Sequence, residues 1–187
     1  MSLLKLAHQH IQNSLRTGDI AIDATVGNGH DTLFLAEYLG ENGRVYGFDI
    51  QQAAIIATTE KLQHSGCLER VTLMQASHAE LALHIPVHHH GCINACLFNL
   101  GYLPKSDKRI ITQTRSTLSA LNTACQLLAP RGIITILAYP GHAGGDDETI
   151  CVQHWSEQLD AQHFSVDTFF SAIPSPSAPR LLVVQKR

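Results

Sequence analysis

Asp23, Gly27, Gly29 and Asp49 have the types and the spacing to hold a nucleotide-like ligand. They lie in IAIDATVGNGHDTLFLAEYL, residues 20–39, and in RVYGFD, residues 44–49. Ile20-Ala21-Ile22 reads as a short buried strand that ends at Asp23. The glycines follow in a loop, and Leu33, Ala36, Tyr38 and Leu39 then give a helix its apolar face. Such a strand–turn–helix unit makes a cradle: glycine lets the backbone approach a ligand closely, and the first helical N–H groups point at it. Asp49 closes a second strand about 20 residues beyond the glycines, where an acid in α/β nucleotide folds accepts hydrogen bonds from ribose hydroxyls. Its alternative role is to cap the helix that begins near Gln51. The dinucleotide fingerprint G-x-G-x-x-G asks for a small third residue, and position 32 is Thr. The pattern D-x-x-x-G-x-G suits S-adenosylmethionine better, because the loop then cradles the amino-acid end of the cofactor and no pyrophosphate has to fit.

A second set of residues falls where an acceptor would sit. Ile93–Phe98 reads as strand four, beside strand one, and runs into Asn99-Leu-Gly-Tyr-Leu-Pro104. Ile133–Ala138 reads as strand five and runs into Tyr139-Pro-Gly-His-Ala-Gly-Gly145. In open α/β sheets the chemistry lies beyond the carboxyl ends of the strands, at the switch point between strands one and four. Asn99, Tyr102, Tyr139 and His142 all fall at that edge. The other reading of Asn99 and Tyr102 is as turn residues leading into a proline.

The remaining pattern supplies the scaffold. Leu3–Leu15 is an amphipathic helix, expected to cover the glycine loop as a lid. Helices are expected at 51–63, 110–128 and 146–162, with one or two turns at 80–83. Val71–Met74 is strand three, and 164–169 and 181–185 are the last two strands, joined by a proline-containing linker rather than a helix. His88-His89-His90 cannot converge on one metal ion from consecutive positions, and no HExxH-type spacing occurs elsewhere, so no metal is expected.

The 187 residues read as a single domain, 1–187, large enough for a three-layer core. A net charge of −3 gives no global basic field for a nucleic acid. A polyanion would need a local patch, and Lys105, Lys108, Arg109 and Arg115 are clustered in sequence, which suggests a surface shared by two copies in a homodimer. The five scattered cysteines form no zinc pattern and are expected to be reduced, and no run reaches membrane-spanning length, so a cytoplasmic protein is expected.

DATVGNGHDT at 23–32, FDIQ at 48–51, FNLGYLP at 98–104 and YPGHAGG at 139–145 together resemble the small bacterial rRNA methylase family. One branch of that family methylates the 5-aminomethyl group of the wobble uridine (position 34) in tRNA. The resemblance runs through nearly the whole chain. It implies an α/β, Rossmann-like class I methyltransferase: a seven-stranded, mostly parallel sheet with helices on both faces. It puts Asp23, Gly27, Asn28 and Gly29 at the methionine end of S-adenosylmethionine and Asp49 and Ile50 at the ribose. His30 and Asp31 face cofactor or substrate, and Asn99, Tyr102, Tyr139 and His142 line the acceptor pocket. The family usually carries Asp-Ser-His after strand three, where Asp contacts the adenine amino group. Here the triplet is Ala76-Ser77-His78, which leaves that contact to Gln75, Ser77 or backbone, with Ser77 and His78 expected at the cofactor. The tail at 172–179 also departs from the family's Asn-Gln-x-Asn stretch.

The chemistry implied is direct transfer from a sulfonium to an amine held in line, with proximity and orientation supplying most of the acceleration. A primary alkylamine must first lose a proton, and Asp31 or His142 is placed to accept it while Asn99 orients the nitrogen. The partner implied is RNA, a tRNA anticodon stem-loop. The competing classes are an rRNA methyltransferase, a small-molecule methyltransferase, which the acidic balance favours, and a nucleoside-binding module or dinucleotide enzyme. Thr32 and the loops after strands four and five count against the last.

Overall fold

The computed structural model describes residues 1–101, 111–141, 144–171, 173, 175 and 177–187. Among these, seven strands form one sheet in the order β3-β2-β1-β4-β5-β7-β6. The strands are β1 (Ile20–Asp23), β2 (Arg44–Asp49), β3 (Val71–Gln75), β4 (Ile93–Asn99), β5 (Leu128–Ala138), β6 (Phe164–Phe170) and β7 (Arg180–Lys186). The first five run parallel, and β7 lies antiparallel between β5 and β6. The helices are α1 (Leu3–Ser14), α2 (His30–Leu39), α3 (Gln52–His64), α4 (Leu81–His84), α5 (Thr114–Leu127) and α6 (Gly145–Glu157).

The strands read as continuous apolar runs because both faces of the sheet are covered. Neighbouring residues point to opposite faces. Ala21, Ala95, Leu97, Leu181 and Val183 pack with α1, α2 and α3. Ile22, Cys96, Phe98, Leu182 and Val184 pack with α4, α5 and α6. In α5 the buried residues Thr117, Ala120, Leu121, Ala124 and Leu127 make one stripe at helical spacing.

The structure corrects four sequence expectations, one of them the helix expected at 110–128, which spans Thr114–Leu127. The first helix is no lid: Ala7, Ile11 and Leu15 are buried in the core beside β4, β5 and β7, and among its residues Leu4 lines the ligand cavity. The burial of a three-residue apolar stripe outweighs any role over the loop. Strand five starts at Leu128, not Ile133, because the 129–132 stretch is a bulge; Leu128 pairs with Ile93, and pairing resumes at Ala95–Ile133. Arg131 takes a φ of 67° there, which lets the chain rejoin the ladder. The last helix stops at Glu157, five residues short of its expected end. A turn follows, closed by backbone N–H groups of His163 and Phe164 donating to the Asp160 carbonyl, which starts β6.

Where β1 and β4 part company, the chain leaves the sheet through 24–29, and polar contacts fix its course. Asp23 is fully buried; it accepts hydrogen bonds from the Thr25 N–H (3.1 Å) and the Thr32 hydroxyl (2.6 Å). From the other side Asp49 accepts from the Gly27 N–H (2.9 Å) and from the Gln51 N–H (2.8 Å). Gly29 has φ of 70°, and a Cβ there would lie 2.5 Å from the Thr58 hydroxyl oxygen of α3. That glycine serves helix-to-loop packing as well as a left-handed turn.

Replacing Ile11, which is wholly buried, by Ala should lower stability by about 2–5 kcal/mol in urea unfolding, with α1 held mainly by that stripe. A loss below about 1 kcal/mol would show that the first helix contributes little. Asp23 gives a pH dependence. Burial, then the Asp31 charge, raise its pKa from 3.8 to about 7, against the lowering by Thr32 and Thr25. A carboxyl that stays protonated in the folded chain but ionises in the unfolded one costs stability as pH rises from about 4 to about 7. Wild-type stability should therefore fall relative to Asp23→Asn across that window, by on the order of a few kcal/mol. Parallel stability curves for the two proteins, by denaturant titration at several pH values, would refute the assignment.

Candidate active site

Above the carboxyl ends of β1, β2 and β4 lies a cavity of about 850 Å³. This volume suits a cofactor-sized ligand. The residues expected at the site converge on it: Gly27, Asn28, His30, Asp31, Asp49, Ile50, Ser77, His78, Asn99 and Tyr139 all line it. Asp23 and Gly29 do not. Asp23 lies behind the wall and braces the loop, and Gly29 packs on Thr58. Tyr102 and His142 lie outside the described residues.

Asp49 takes a local role at the entry to α3 and sits at the cavity rim. It ends β2 at the cavity rim, and its carboxylate bonds the Gln51 N–H just ahead of α3 while also holding the glycine loop. Ile50 beside it is half exposed and adds apolar surface to the cavity lining. Beyond β3, the Ser77 hydroxyl accepts from the Ala79 N–H and caps a short 3-10 turn. His78 starts that turn, buried edge-on against Phe98, and its Nδ1 lies 3.3 Å from the Ala24 carbonyl oxygen. A contact to a carbonyl requires the proton on Nδ1, and Nε2 is then an acceptor that has no partner among the described residues. Burial keeps this imidazole neutral by pushing its pKa down.

The cavity wall between β1 and β4 carries the ionisable chemistry. Asp31, in the first turn of α2, is nine-tenths buried; its Oδ1 meets His8 Nε2 at 2.6 Å and its Oδ2 accepts a hydrogen bond from the Asn99 side-chain amide. The Asn99 backbone N–H in turn donates to the Thr25 hydroxyl at 2.7 Å, which ties the end of β4 to the loop after β1. The amide of Asn99 is therefore committed to Asp31 through its nitrogen, and its carbonyl oxygen remains as the acceptor. Tyr139 stands at the end of β5, and partial burial followed by the Asp31 charge pushes its phenol pKa upward. His30, at the start of α2, is exposed at the rim with Lys61 Nζ 3.0 Å from its Nδ1.

The far wall comes from the start of α5. Thr112 donates to Glu148 (2.6 Å) and accepts from the Gly101 N–H (2.8 Å), while Thr117 also donates to Glu148 (2.7 Å). Glu148 is buried in the first turn of α6, where a helix N-terminus favours its charge. The acids at 146–148 stand in the first turn of α6, and the third also locks the α5 end of the cavity. The site residues that the sequence did not mark are His8, Thr25, Thr32, Thr112 and Glu148. Thr25 and Thr32 lie inside the DATVGNGHDT motif, so their spacing from Asp23 was the available signal. His8 carried none, since it sits among the apolar positions of a helix.

The other histidines do not gather. His89 bonds the Tyr46 hydroxyl through Nδ1 (2.8 Å) and His90 the Ile85 carbonyl (3.0 Å). Among the described residues, no group of three or more His, Cys, Asp or Glu is arranged to hold a metal ion, and no helix is long and apolar enough to cross a membrane. All five cysteines are free thiols.

Comparison with known proteins meets this geometry. The family described as "Putative rRNA methylase" matches residues 45–186. A chloroplastic tRNA (mnm(5)s(2)U34)-methyltransferase of Arabidopsis thaliana is 35% identical over 98% of this chain and 69% of its own length. A crystal structure of an rRNA methylase of the same description from Clostridium thermocellum superimposes with a TM-score of 0.95 at 38% identity, over 100% of this chain and 98% of the other. A methyltransferase from Streptococcus mutans, solved in complex with SAH, gives a TM-score of 0.88 at 33% identity over 100% and 99%. The doubly wound sheet, the cavity at its switch point and these matches along the whole chain agree: the protein belongs to the rRNA methylase family of S-adenosylmethionine-dependent methyltransferases.

Proposed function

We propose that this protein N-methylates the 5-aminomethyl group of the wobble uridine, position 34, in tRNA. The observation that carries the choice of acceptor is the Asp31 carboxylate, fixed by Asn99 and His8 in the wall of a largely apolar cavity. A buried anion with two donors behind it is built to receive a cationic amine. The 35% identity to a tRNA wobble-uridine methyltransferase supports the same substrate. The family's description favours ribosomal RNA as the second reading.

Bound S-adenosylmethionine supplies an electrophilic methyl group on a sulfonium. The chain's residues fit that cofactor: backbone at Gly27 and Asn28 would hold its amino-acid end, and Asp49 and Ile50 would hold its ribose, all on the cavity wall. Ala76 stands where the family resemblance expects an acid for the adenine amino group, and Ser77 and His78, beside it on the cavity wall, would hold the base end. The acceptor enters as an ammonium ion, which is no nucleophile. Asp31 takes its proton, and the Asn99 carbonyl directs the freed lone pair along the line of transfer. Tyr139 stacks on the uracil, which has to be splayed from its loop to reach the cavity. Tyr102 and His142 join the acceptor pocket by family resemblance. A homodimer would double the basic surface offered to the RNA; Arg115, the described member of that cluster, is exposed.

Two variants separate the halves of the site. Asp49→Ala should weaken S-adenosylmethionine binding more than tenfold in calorimetry, since charge-assisted hydrogen bonds worth roughly 1.5–3 kcal/mol are lost and the glycine loop is released. Wild-type affinity would sink the ribose assignment. Asn99→Ala should keep that affinity within about threefold yet remove most methyl transfer, because it unclamps Asp31 as well as the amine. The assay is transfer to tRNA from cells lacking the enzyme, read by nucleoside mass spectrometry. Methylation of ribosomal RNA or a metabolite in place of that tRNA would overturn the proposal.

A further inference from the structure

We infer that His8, on the core-packed first helix, is a positioning residue for the methyl transfer: it holds the Asp31 carboxylate aimed into the cavity. This rests on the reading of Asp31 as the group that meets the acceptor amine. The geometry is specific. His8 Nε2 and Asp31 Oδ1 are 2.6 Å apart, a distance that places a proton between them. The imidazole lies flat on the Phe34 ring, with centroids 4.0 Å apart and planes 7° from parallel. Stacking on one α2 side chain and bonding to another fixes both the plane and the rotation of the ring. Asp31 lines the cavity and His8 does not, so the histidine works from behind the carboxylate. The side chain of His8 is 24% exposed against 9% for Asp31, and it links the buried acid to the protein's outer surface.

The need for such a partner follows from the surroundings. Asp31 shares its corner with the Asp23 carboxyl from β1 and the Tyr139 phenol from β5, both pushed upward in pKa in part by its charge. A carboxylate in such a wall keeps one orientation only where donors meet its oxygens. Asn99 supplies one donor to the charged form and His8 the other. Removing the histidine leaves the carboxylate with a single donor and free to rotate. Packing of α1 through Ala7, Ile11 and Leu15 is what brings His8 to this point, so a helix that folds as core also completes the site.

The test uses His8→Phe, which keeps a flat ring on Phe34 and loses the hydrogen bond, beside His8→Gln, which restores a donor. Methyl transfer to unmodified tRNA is measured at saturating cofactor and RNA from acidic to alkaline pH. His8→Phe should lower kcat by about tenfold or more across that range, with KM and cofactor affinity within about twofold. His8→Gln should recover most of kcat. In proton NMR, a protected His8 ring N–H signal should be present in wild type and disappear in Asp31→Asn. A His8→Phe profile that superimposes on wild type would reduce His8 to packing and overturn the inference. Equal losses in both variants with lowered melting temperatures would do the same. If the wild-type protein methylates no tRNA at all, the functional reading fails, and the NMR signal still decides whether His8 holds Asp31: its absence overturns the inference.

Discussion

The buried carboxyl of Asp23 is the constraint on which the site depends. It sits where β1 and β4 diverge, and its two oxygens hold the Thr25 N–H and the Thr32 hydroxyl, one on each side of the glycine loop. Six residues of loop are thereby anchored at both ends to one point in the core. Asp49 grips the middle through the Gly27 N–H. A loop pinned in this way presents its backbone to a ligand without having to be ordered by it, which removes an entropic cost from binding. The expense is a carboxyl held in the dry interior, and the chain tolerates it because the group can stay protonated near neutrality.

Around that loop the wall is built from residues whose polar atoms are almost all committed to one another. Asn99 is tied to Thr25 through its backbone and to Asp31 through its side chain. Thr112, Thr117 and Glu148 lock the start of α5 to α6 in the same manner. Pre-set dipoles and charges need no rearrangement when the reacting group arrives, and electrostatic stabilisation is then gained in full. The surrounding apolar surface, with Leu4, Phe48, Ile50 and Leu100 among its members, lowers the local dielectric and strengthens each of these interactions.

How the helices contribute also separates architecture from chemistry. The sheet is covered on both faces by apolar stripes, and this alone accounts for the order of its strands being stable. The first helix joins that coating and at the same time delivers one imidazole to the site. The helix therefore cannot be treated as a cover that moves over the ligand, since its stripe is buried against three strands. Binding and release must use the open edge of the cavity, where His30, Ile50 and Tyr139 are exposed.

The sequence by itself determined the seven strands, the switch point and the glycine loop at the cavity, because each is written in local pattern. Apolar runs ended by Asp23, Asp49 and Asn99 mark strand ends, and the glycine spacing marks the loop between them. Bulges are another matter. Leu128 belongs to β5 through its pairing with Ile93, and no neighbour in sequence announces that. The sequence likewise could not separate residues that face the ligand from those that support the facing ones. Asp23 and Gly29 have the same motif membership as Gly27 and Asn28, yet they point into the core and at Thr58. Tertiary structure alone brought His8 to Asp31 across 23 residues and Asn99 to it across 68. Contacts over such separations depend on how helices seat on the sheet, and seating is set by packed volume and hydrogen-bond closure over the whole fold, which no local spacing encodes.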